Sequence, residues 1–153
     1  MKRIYGVFAI LVMLVVVMVS CSNKQEIKVE DINKKIGNAV DLLTLKSEDA
    51  TKLKKTYGIE ENKLDGFEFY RADSNVKADE ILIIKAKEKS DIQDFQDKIN
   101  KRIEKQEVNF KDYLPEEYGL LKNSVVKVKG NIIIFVASKD ADKIIQAFND
   151  AVK

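Results

Sequence analysis

The 153-residue chain contains no histidine and a single cysteine, Cys21. Without imidazole there is no His general base, no His metal ligand and no Ser/His/Asp triad. One proline, Pro115, and six glycines provide no Pro/Gly/Ser-rich linker, so nothing divides the chain after its N-terminal segment. No G-x-G-x-x-G, P-loop or EF-hand pattern occurs. Arginine is scarce, confined to Arg3, Arg71 and Arg102, while Lys, Ile and Asn are abundant. That bias suggests a property of the source genome and carries no function. Any catalysis would have to rest on carboxylates, Lys, Tyr or Ser, and a carboxylate-dependent hydrolase has no visible general-acid environment. The expectation is a non-catalytic protein.

What is present begins with an apolar run. Lys2 and Arg3 precede Ile4 to Val19, which carry no charge, in the order of a secretory signal. As a transmembrane helix, these 16 residues at ~1.5 Å rise reach only ~24 Å, short of the ~30 Å hydrocarbon core. As an ordinary cleaved signal, Ser20 suits a peptidase, but the cysteine that follows would be a coincidence. Met18-Val19-Ser20-Cys21 also resembles the lipobox of bacterial lipoproteins, which directs thiol lipidation and cleavage. That reading accounts for a lone cysteine in an exported chain. It also leaves no thiol for a disulfide, a metal or a nucleophile. The expected organisation is therefore a signal peptide over 1–20, a lipidated Cys21 and short polar tether over 21–27, and one globular domain over 28–153. A diacylglyceryl lipid on Cys21 is the only cofactor expected. It would hold the domain at the extracytoplasmic face of the cell membrane, since two or three acyl chains anchor where one is marginal.

Charge narrows the partners. Taking Lys2 and Arg3 from the 27 bases leaves as many bases as the 25 acids. Acid and base interleave along the chain, as on a solvated surface, which argues against a nucleic-acid footprint.

Hydrophobic spacing sets the fold. Val29, Ile32, Ile36, Val40 and Leu43 predict a helix over 29–45. Ser47 would cap a shorter helix through Leu53 and Tyr57, with Gly58 as its left-handed stop. Phe67 and Phe69 alternate with Glu68 and Tyr70 in a first strand, a loop covers 72–78, and EILIIKAK over 80–87 is a second. Ile92, Phe95, Ile99 and Ile103 define a helix opened by Ser90. An irregular stretch over 109–123 follows. VVKVK (125–129) and IIIFVA (132–137) flank the turn at Gly130-Asn131. A last helix carries Ala141, Ile144, Ile145, Phe148 and Val152. The fold class predicted is α+β: a four-stranded, mostly antiparallel sheet packed with about four helices. It reads as two strand–strand–helix units after a helical pair. The second and fourth strands are apolar on both faces, as central strands would be, and Lys127 and Lys129 mark the third as an edge.

These segments together resemble the small Gram-positive lipoproteins grouped under "domain of unknown function 4358". The resemblance rests on KKTYGI (54–59), FEFY (67–70), ADEILIIKAK (78–87), YLPEEYG (113–119) and VVKVKGNIIIFVAS (125–138). It implies a lipid-anchored extracytoplasmic domain with no established activity.

Few residues stand out for chemistry. Asp91, Asp94 and Asp97 fan around a helix face beside lysines and read as solvated surface rather than a cation site. Asp79 and Glu80 start a strand, where neighbouring side chains point to opposite faces. The segment DYLPEEYG (112–119) gathers Tyr113, Glu116, Glu117 and Tyr118. It reads as a cover packed by Tyr113, Leu114 and Tyr118, or as a contact for a cation, sugar or peptide. The leading expectation is a binding module for a protein or a cell-envelope component. A small-ligand or cation receptor using the 112–119 loop is the alternative, and no metal site is assigned.

Overall fold

The computed structural model describes residues 26–153; Cys21 and the apolar run before it lie outside the described residues. Five strands form one antiparallel sheet: β1 (Lys46–Ser47), β2 (Leu64–Arg71), β3 (Glu80–Ala86), β4 (Val125–Lys129) and β5 (Ile132–Ala137), in the order β1-β2-β3-β5-β4. Five α-helices flank it: α1 (Val29–Ala39), α2 (Ala50–Tyr57), α3 (Ile92–Phe110), α4 (Pro115–Lys122) and α5 (Ala141–Ala151). The class is α+β, with five strands rather than the four expected.

β3 and β5 are buried along their whole length and sit side by side in the middle of the sheet. Their alternate residues feed two separate cores. Leu82, Ile84, Ile133 and Phe135 pack with Leu53 and Tyr57 of α2, Phe95 and Ile99 of α3 and Leu121 of α4. Ile81, Ile83, Ile132, Ile134 and Val136 pack with Val29, Ile32 and Ile36 of α1 and Ile144 and Phe148 of α5. A strand apolar on both faces is thus a strand covered on both faces. β4 is one edge of the sheet, as its two lysines predict, and β1 is the other.

Three local expectations need correction. The first helix ends at Ala39, not at 45: Val40 is extended, and the Asp41 side chain accepts from Leu43 N–H to open a 3₁₀ turn. Leu43 is consequently 94 % exposed. Asp49, not Ser47, caps α2, accepting from Lys52 N–H at 2.8 Å, because Ser47 is drawn into β1. The irregular stretch over 109–123 is mostly helix, with α3 running to Phe110 and α4 starting at Pro115. Proline there occupies the first turn, where its missing N–H breaks no intrahelical bond. This also raises the helix count above the four predicted. The two expected strand–strand–helix units are present, and they place their helices on opposite faces of the sheet.

Two glycine signals held. Gly58 ends α2 at φ +68, and Gly130 takes φ +64 in the two-residue β4–β5 turn, the geometry expected of a tight hairpin. Asn131 then donates to Ala86 C=O at 2.6 Å and ties that turn to the end of β3.

Candidate functional site

Glu80 opens β3 on the face covered by α2, α3 and α4, yet it is only 4 % exposed. A carboxylate taken out of water needs partners, and two elements supply them. Arg102 of α3 donates through Nη2 to Oε2 at 2.8 Å and through Nε to Oε1 at 3.4 Å. Tyr57, the last residue of α2, donates its hydroxyl to Oε1. Burial first, then the Glu80 charge, push the Tyr57 phenol well above its ordinary value, so it stays a donor. Burial alone would lower the Arg102 guanidinium, but the bonds to Glu80 outweigh this and raise it. The Tyr57 ring meets Phe69 edge-to-face at 5.5 Å. Three elements are therefore pinned at one end of the sheet.

A second arginine lies beside this cluster. Arg71, the last residue of β2, donates through Nε to Glu48 at 2.6 Å. Both arginines line two adjoining depressions. One, about 240 Å³, is enclosed by the loop after β2 and by α3, with Ser74, Asn75, Lys77, Asp79, Gln106 and Asn109 in its wall. The other, about 330 Å³, is a cleft between α2 and α3 walled by Lys52, Lys55, Lys98, Lys101 and Lys105 besides the two arginines.

The residues singled out in the sequence divide around this end. Asp79 and Glu80 both touch the smaller pocket, but Glu80 is committed to Tyr57 and Arg102. Asp79 is half-buried; burial and the nearby Glu117 charge hold its carboxyl above the ordinary value. Glu117 is 5 % exposed and fastens the loop, accepting from Ala78 N–H at 2.8 Å and from Lys77 at 2.6 Å. Burial would raise its carboxyl, but Lys77 and the Ala78 amide more than offset that, and the net shift is downward. Tyr118 and Leu114 lie against the core. Tyr113 does not cover the sheet: it is 84 % exposed, and Glu116 faces solvent too. The 112–119 segment is thus a helix start held by Glu117 rather than a loop. Asp91, Asp94 and Asp97 go to separate partners, Lys63, Lys98 and Gln93. Among the described residues no group of three or more acidic or Cys side chains could hold a metal ion.

Arg71 and Arg102 escaped the sequence reading. The available signal was Glu80 itself, a charge on a strand apolar on both faces.

An antiparallel sheet sandwiched between helices, with a buried Glu–Arg–Tyr cluster beside a basic cleft, defines a small α+β domain. The family model "Domain of unknown function (DUF4358)" matches residues 38–138, and the chain belongs to that family. The matched span contains every residue of both depressions. No curated protein and no solved structure matches the chain. No described helix is long and apolar enough to cross a membrane.

Proposed function

We propose that the protein is a lipid-anchored, extracytoplasmic binding module without a catalytic step. Its recognition surface is the end of the sheet where β2, β3 and α3 meet. The observation that carries this is the company of the small polar pocket. Among the described residues, three of the five exposed large apolar side chains, Val76, Val108 and Tyr113, come from the segments around it. Asn75 and Asn109, next to two of them, line its wall. Exposed apolar groups rimmed by polar ones suit a partner surface. The partner is a protein or another envelope component.

The start of the described chain agrees. Glu26, where the described chain begins, pairs with Lys85 at the far end of β3. From Lys85 to Glu80 the strand spans ~17 Å, so the described chain begins at the end of β3 opposite the pocket. The pocket is also below the usual ~300 Å³ of a drug-sized site, which favours a very small polar ligand as the second reading.

Photo-crosslinking in living cells tests the proposal. A crosslinker at Asn75 or Asn109 is expected to trap a specific component that one at Leu43 does not. Palmitate labelling is expected for the native chain and lost in Cys21→Ser, together with the adduct. Adducts that form equally from Leu43, or none from either asparagine, would sink this reading.

A further inference from the structure

The cleft between α2 and α3 holds cationic groups in an ordered array. Lys98, Lys101, Arg102 and Lys105 follow i, i+3, i+4, i+7 spacing and so form one stripe along α3. Lys52 and Lys55, three apart on α2, line the other side. The stripe is ~10 Å long at ~1.5 Å per residue. Lys98 pairs with Asp94, but Lys52, Lys55, Lys101 and Lys105 have no ion-pair partner among the described residues. Like charges held side by side on two rigid helices repel, and an anion between them relieves that repulsion.

The arginines give the array its chemistry. Arg102 uses Nε and Nη2 on Glu80, and Arg71 uses Nε on Glu48. Arg102 Nη1 and both Arg71 Nη atoms have no hydrogen-bond partner among the described residues. Glu80 and Glu48 are themselves nearly buried, with side chains 5 % and 8 % exposed, so each guanidinium is oriented from behind. A planar fork with free N–H groups matches phosphate oxygens. Lysines along the stripe suit further charge on the same ligand.

We propose that this cleft binds a phosphate-bearing polyanion, with one phosphoryl group on Arg71 and Arg102 and the adjoining charge on Lys101, Lys105, Lys52 and Lys55. This goes beyond the binding-module reading, because it stands whether or not Cys21 is lipidated. Lipid headgroups and soluble phosphate chains share the recognised chemistry.

The test is calorimetric titration of the full chain in neutral detergent at low salt with sodium tripolyphosphate. One-to-one binding is expected, weakened about tenfold or more in Lys101→Gln/Lys105→Gln. Lys34→Gln/Lys129→Gln, at the tether end, is expected to change affinity less than twofold. Competition by phosphatidylglycerol added to the detergent micelles identifies a headgroup as an acceptable source; tripolyphosphate binding without such competition identifies a soluble chain. Three results would overturn the proposal: no binding, citrate bound as tightly as tripolyphosphate, or equal weakening by the two double variants. If those results appear while crosslinks from Asn75 and Asn109 persist, the phosphate site falls and the binding module stands.

Discussion

Replacing Arg102 with methionine tests the physical core of the site. The substitution keeps an unbranched apolar stem and removes the charge. Glu80, 4 % exposed, would then retain only the Tyr57 hydroxyl. Removing one member of a buried ion pair costs about 3–5 kcal/mol, because the other charge is left uncompensated. Tyr57 still donates, and the Arg102 side chain is 15 % exposed, so the lower end, about 3 kcal/mol, is expected. For a domain of this size, each kcal/mol moves Tm by roughly 3–5 °C, so the loss is roughly 10 °C. Urea unfolding of the full chain in neutral detergent, followed by circular dichroism, measures the difference. Lys101→Met on the same helix is the reference and should stay within about 0.5 kcal/mol of the native chain. The double variant Glu80→Gln/Arg102→Met removes the stranded charge and is expected to recover about 2 kcal/mol. If Arg102→Met matches Lys101→Met, or the double variant is as unstable as the sum of its parts, Glu80 and Arg102 do not hold the three elements together.

Two carboxylates at the same end should respond to pH in opposite senses. Glu117 is held below its ordinary value of 4.5, so its contribution is complete above that pH and lost as pH falls through the folded value. Glu117→Gln is expected to cost about 1 kcal/mol at pH 7, with the deficit closing on acidification in urea melts. Asp79 is held above its ordinary 3.8, so its ionised form costs stability at neutral pH and costs nothing below about 3.8. Asp79→Asn is therefore expected to be neutral or stabilising at pH 7, any gain vanishing in acid; a loss at pH 7 that persists in acid contradicts the assignment. Gly130→Ala forces a side chain into φ +64 and should cost about 1 kcal/mol, read as a lower urea midpoint with unchanged slope.

The parts of this fold that were legible in the sequence are those in which pattern and environment coincide. IIIFVA and EILIIK are apolar at odd and even positions alike, and only burial on both faces makes use of that. The apolar spacing of α3, through Ile92, Phe95, Ile99 and Ile103, was equally plain. β1 was not, because Lys46 and Ser47 have no apolar signal and their pairing with Arg71 and Tyr70 is made by backbone alone. PEEYGLLK concealed α4, because proline and glycine ordinarily punctuate a helical pattern, though Pro115 here opens the helix and Gly119 has open space around it. The site was hidden for a different reason. Arg102 reads as one more wet residue of an amphipathic helix, and Glu80 lies 22 positions earlier. The one local sign was Glu80, a charge on a strand apolar on both faces, and both described arginines end up beside the same cleft.

The two faces of the sheet divide the work unequally. α1 and α5 meet it through aliphatic and Phe side chains, and Lys85, the buried charge on that side, lies at the tether end, paired with Glu26 and Asp65. The opposite layer carries Glu80 and Glu117, both buried and charged, and each joins elements distant in sequence: β3 to α2 and α3, and the 72–79 loop to α4. Buried charges contribute little net stability compared with well-packed apolar groups. A layer that keeps two of them, while holding unpaired lysines side by side on its outer surface, is better explained by the geometry those charges fix than by stability. The matched family span takes in all of α2, α3 and α4 but little of α1 and none of α5. The span matched by the family model is thus the sheet with its charged layer. Yet Ile81, Ile83, Ile132, Ile134 and Val136 would be bare without α1 and α5, so a chain cut to 38–138 is expected to aggregate rather than fold.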